Sequence, residues 1–90
     1  MVNRAKDIVN KLNMWQEDLG EQIKFQVFIE EYEKQFNVVA TIYDENGLLL
    51  EDVQYVVARS RQTAQQHADD IMNAAARHTG ALLKPIQWIV

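Results

Sequence analysis

Ninety residues with a net charge of −4, a pI near 5.0, 48% hydrophobic and 24% charged residues describe one small acidic globular domain, spanning 1–90, and exclude a disordered chain. The absence of cysteine excludes disulfides, thiolate metal sites and a cysteine nucleophile. Apolar runs of three or four residues fall far short of the roughly 20 that span a bilayer, so no membrane partner is expected.

From Asn3 to about Asp18, apolar residues at Val2, Ala5, Ile8, Val9, Leu12 and Trp15 follow the i, i+3, i+4, i+7 spacing of one helix face. Asn3 reads as its N-cap and Gly20 as its stop. The N-terminal residues are polar and amphipathic and lack the apolar core of a signal peptide, so a cytoplasmic location is expected.

Between Gln22 and Glu30 the period changes to two, with Ile23, Phe25, Val27 and Ile29 alternating against Lys24, Gln26, Phe28 and Glu30: a half-buried strand. Residues 31–35 contain neither Gly nor Pro, and a longer or bulged hairpin, or one helical turn, is expected there. Phe36, Val38, Ala40 and Ile42 then alternate with Asn37, Val39, Thr41 and Tyr43, and Asp44-Glu45-Asn46-Gly47 supplies the reversal.

A third strand covers Val53–Ala58, preceded by Leu48-Leu49-Leu50, with a bulge or bend expected near Glu51-Asp52. Ser60 caps a second helix, about Arg61 to Thr79, whose buried face (Ala64, Ala68, Ile71, Met72, Ala75) is rich in alanine and so able to lie close to a sheet. Gly80 reads as a left-handed helix stop. Leu82–Val90 reads as a last strand, made irregular or peripheral by Pro85.

The fold expected is therefore α+β in the order αβββαβ: a mainly antiparallel sheet of three to four strands with two helices on one face. The last strand should lie beside the first, reached by the crossover through the second helix.

Candidate chemistry is sparse. His67 and His78 are eleven residues apart on one helix, about 16 Å along its axis, too far to chelate one ion. The acidic pairs Glu30-Glu31, Asp44-Glu45, Glu51-Asp52 and Asp69-Asp70 lack the alternating oxygen ligands of a calcium loop. Ser60, the only serine, is assigned to capping, and the three isolated glycines form no phosphate loop. No catalytic residue, metal site or cofactor is expected, and the chain reads as non-enzymatic.

What stands out is the sheet face away from the helices, where Gln26, Phe28, Val39, Thr41 and Tyr43 gather and where one alternate set from Val53–Val57 and one from Ile86–Val90 must join them. This face is more apolar than a solvated antiparallel sheet usually is, the mark of a partner or self-association surface. Phe28, Val39, Tyr43 and Trp88 are the expected contacts. The function expected is that of a small protein-interaction domain, accessory or regulatory, forming a homodimer or larger homo-oligomer through sheet face or edge strand.

Two other readings compete. The run Ala58-Arg59-Ser60-Arg61-Gln62-Thr63-Ala64-Gln65 opens the second helix, and the layout over residues 3–79 resembles that of double-stranded RNA-binding domains. That resemblance implies phosphate contacts from Arg59, Arg61, Gln62 and Gln65 at the start of the second helix and from Lys11 on the first. Residues 15–58, however, carry ten acids against Lys24 and Lys34, and this net −8 repels a phosphate backbone. The same acidity motivates the other alternative, an inhibitor that mimics nucleic acid.

Overall fold

The computed structural model describes residues 4–90. Two helices, α1 (Arg4–Leu19) and α2 (Arg61–His78), pack on one face of a sheet built from β1 (Lys24–Tyr32), β2 (Gln35–Tyr43), β3 (Leu49–Ala58), β4 (Leu82–Leu83) and β5 (Gln87–Ile89). Strand order is β3-β2-β1-β4, with β5 also beside β1. The meander is antiparallel, whereas β4 and β5 run parallel to β1 after the crossover through α2. The expected α+β fold, with its last strand beside the first, is what the chain adopts; Asn3 and Val2 lie outside the described residues.

The core lies between helices and sheet. Ile8 and Leu12 of α1, Phe25, Val27 and Ile29 of β1, Val38, Ala40 and Ile42 of β2, and Ala64, Ala68, Ile71 and Ala75 of α2 are all buried. The alanines let α2 approach the strands closely. Ser60 caps α2 by accepting from the Thr63 amide at 3.1 Å.

Two connections differ from expectation. The β1–β2 loop is not long: pairing continues to Tyr32 and Gln35, and Glu33 and Lys34 alone make the turn, at φ 49° and 63°. Two consecutive left-handed residues suit the twist of a tight hairpin, which is why the turn forms there without glycine. Gly80 does not take a left-handed conformation. Instead α2 ends at the extended Thr79, whose amide and hydroxyl both donate to the Ala75 carbonyl, at 3.1 and 2.8 Å. A Cβ at Gly80 would stand 3.2 Å from the Gln16 amide nitrogen and press on it, so the glycine serves a close approach to α1. The irregularity expected at Pro85 is present: the last strand divides in two at Lys84-Pro85-Ile86, because Pro85 has no amide to donate.

Strand β3 carries two irregularities, at Leu50 and at Tyr55, where one extra residue interrupts pairing with β2. The first adjoins the bend expected near Glu51-Asp52. At each, two successive side chains turn to the helix side. Leu50 packs against the core and Glu51 reaches Lys11 at 3.1 Å; Tyr55 meets the His67 ring at 6.1 Å and Val56 packs on the core.

Candidate functional site

Strand register fixes which residues share the uncovered face. At one end, Leu49, Tyr43, Lys24 and Leu82 stand in a row across β3, β2, β1 and β4. At the other end the row is Val57, Asn37, Glu30 and Ile89. Between them lie Asp52, Thr41 and Gln26, then Gln54, Val39, Phe28 and Gln87. Leu49, Val57, Leu82 and Ile89 are each 40% or more exposed, while Phe28, Val39 and Tyr43 are half-buried by their neighbours. A soluble domain rarely leaves so many large apolar side chains on one open surface.

Phe28 and Val39 face each other directly across β1 and β2, and Tyr43 lies beside Lys24 on the same surface. Trp88 does not join them. Paired with Ile29, it points to the helix side, edge-on to Phe36 with ring centres 6.2 Å apart. Leu49, Val57, Leu82 and Ile89 are the exposed apolar residues of this face that strict alternation does not reveal. Counting by twos from Val53 puts Val57 inside, and only the extra residue at Tyr55 turns it outward.

A hollow of about 300 Å³ opens on this face, lined by Glu30, Tyr32, Gln35, Asn37, Gln54 and Val57. The Oδ1 atom of Asn37 is buried and lacks a hydrogen-bond partner among the described residues. Such an orphaned acceptor costs on the order of 1–3 kcal/mol. Lys24 and Glu30, on this face, form no ion pair or hydrogen bond with another described side chain.

The sheet edges are less inviting than its face. On β3 the two irregularities break the regular row of amides and carbonyls, and Arg4 Nη2 donates to the Gln54 carbonyl at 3.1 Å. The opposite edge is cut at Pro85, whose carbonyl accepts from Gln26 Nε2 at 3.0 Å. Both devices hinder strand addition.

On the helix side the basic residues are engaged. Lys11 pairs with Glu51, and Arg61 donates to Glu31 Oε2 at 2.9 Å while lying 5.7 Å from the Phe36 ring centre and 5.2 Å from that of Trp88. Gln65 donates to Asp69 at 2.9 Å. Arg59 and Gln62 are exposed, so the five residues considered for phosphate contact do not form a patch of free cations. Arg61 instead ties the start of α2 to the sheet.

A larger hollow, about 700 Å³, lies between α1 and α2 and is lined in part by Asn10, Asn13, Tyr55, Asp70, Asn73 and Arg77. Apart from half-buried Tyr55, these polar side chains are exposed, and they do not converge on a buried point. Among the described residues no group of three or more His, Asp or Glu side chains gathers to hold a metal ion, and no helix is long and apolar enough to cross a membrane. Comparison with protein-family models, with curated proteins and with solved structures finds no match to this chain.

Proposed function

We propose that this chain is a small non-catalytic interaction domain that self-associates through the open face of its sheet, serving as an accessory or regulatory element. The observation that carries the reading is the contrast between face and edges. Eight apolar or aromatic side chains (Phe28, Tyr32, Val39, Tyr43, Leu49, Val57, Leu82, Ile89) stand on the face that the helices leave uncovered. Both edges, meanwhile, are interrupted and hydrogen-bonded from within the chain.

The size of the face fits this role. Nine-residue strands at about 3.3 Å per residue, four positions wide at about 4.8 Å, give a footprint of about 600 Å². The accessible area of such a corrugated surface exceeds its projection, so the face approaches the roughly 800 Å² that each partner of a stable complex buries.

Sedimentation equilibrium over low to high micromolar concentrations tests the reading. A reversible monomer–dimer equilibrium is the expected result. A strict monomer at high micromolar concentration overturns it.

A further inference from the structure

We infer that two copies stack face to face with their strands antiparallel, about a twofold axis that lies in the interface and crosses the strands, so that Lys24 of each copy meets Glu30 of the other. This rests on the self-association proposed above and adds the geometry of the pairing.

The inference comes from register. A twofold axis of this direction keeps β3 over β3 and β1 over β1 but exchanges the two ends of the face. The end row Leu49, Tyr43, Lys24, Leu82 then lies over the row Val57, Asn37, Glu30, Ile89. Each position of these end rows meets a compatible one. Leu49 falls on Val57 and Leu82 on Ile89, burying four exposed aliphatic side chains per copy. The ammonium of Lys24 falls on the carboxylate of Glu30, and two-fold symmetry makes that pair twice.

Tyr43 falls on Asn37, which lines the hollow of about 300 Å³ and whose Oδ1, closed to solvent in the single chain, a turn of the side chain would present to the partner. A phenolic O–H is the donor that this acceptor lacks, on a ring sized for such a hollow. In the inner rows Asp52 lies over Gln54, a carboxylate over an amide donor, and Phe28 comes close to its own copy across the axis. These side chains interdigitate across sheets about 10 Å apart.

The other two-fold arrangement, with strands parallel, also covers the aliphatic residues. It sets Lys24 over Tyr43 and Glu30 over Asn37, however, leaving both charges without an opposite partner where water is excluded. Charge therefore selects the antiparallel stack.

The test uses the full chain and two reversals, Lys24→Glu and Glu30→Lys. In the antiparallel dimer each reversal alone sets like charges together at two places, and each homodimer should weaken by about tenfold or more. Mixed in equal amounts, the two variants should form a heterodimer close to wild type in affinity, since every meeting is again between opposite charges. Recovery on mixing also shows that both variants are folded. Tyr43→Phe, which removes only the hydroxyl, should weaken the dimer several-fold.

If the wild type dimerises and single reversals leave its affinity unchanged, or mixing gives no heterodimer, the antiparallel stack is overturned while self-association stands. A wild type that stays monomeric removes the proposed function itself, and the stacking with it.

Discussion

Phe25 and Phe28 are three residues apart on β1 and face opposite ways. Phe25 is fully buried against α2 and the neighbouring strands, whereas Phe28 rests half-buried among Val39 and Gln26 on a surface with no covering layer. The charges on the two sides differ in the same manner. Beneath the helices Lys11 has Glu51 and Arg61 has Glu31; on the open face Lys24 and Glu30 have no partner in the chain among the described residues. The lesson is that the helix side pairs these charges within the monomer, while the open face has hydrophobic area and unpaired charges that the proposed second copy would answer; an orphaned buried polar atom occurs on each side, Trp15 Nε1 on α1 and Asn37 Oδ1 on the face.

The sharpest way to break that contrast is to truncate each phenylalanine. Phe25→Ala opens a cavity in a core with few residues to spare and should cost about 3–5 kcal/mol, read as a fall in the urea midpoint. Phe28→Ser should change monomer stability by no more than about 1 kcal/mol and abolish association in sedimentation equilibrium. Equal losses of monomer stability would mean that the two faces are not distinct in kind.

A second comparison concerns α2. Ala68 is fully buried where the helix meets the sheet, and Ala76 is exposed on the far side. Ala68→Leu has nowhere to place three further carbons and should destabilise by about 1–3 kcal/mol. Ala76→Leu should be close to neutral in the same denaturation series. If both are neutral, the helix does not sit as close to the strands as its alanines require.

Much of this arrangement is legible in the sequence, for reasons that differ from one part to another. The period of two in residues 23–30 and 36–43 dictates which side chains are buried, because a half-buried strand tolerates no slip in register. The alanine stripe marks the face of α2. In β3, the two extra residues change the face twice, and nothing in Leu49–Ala58 announces Tyr55 as the second of them. Trp88 is misplaced by the same kind of step. The break at Pro85 resets the alternation, and only pairing of Trp88 with Ile29 shows that it turns inward. The open face is therefore visible in its middle, at Phe28, Val39 and Tyr43, and hidden at its rim. The proposed pairing of Lys24 with Glu30 depends on register between strands, which no single strand's pattern contains.

The turns offer a smaller effect, because they lie outside both faces. Glu33 and Lys34 hold left-handed conformations that cost a residue with a side chain about 1–2 kcal/mol. Lys34→Gly should raise stability by about 1 kcal/mol without touching association, which a shift in the thermal midpoint at unchanged dimer affinity would show. Loss of stability would mean that the turn's side chains make contacts that offset their strain.

Tyr55 gives the smallest effect and tests whether β3 turns its extra residue toward the helices. Burial raises its phenol above the ordinary value of 10.0; Asp70 adds to the rise, and Arg4, whose guanidinium lies 5.9 Å from the ring centre, opposes it. The folded chain thus holds this proton more tightly than the unfolded chain does. Its contribution is fully present below pH 10 and is lost as pH climbs from there through the raised value. In an alkaline titration followed by tyrosinate absorbance, the Tyr55 phenol should ionise late, and Tyr55→Phe should remove that late contribution. The same substitution should flatten the decline of stability above pH 10. A late step that survives in Tyr55→Phe would place the buried phenol elsewhere and remove the evidence that the irregularity at Tyr55 reverses the face of the strand.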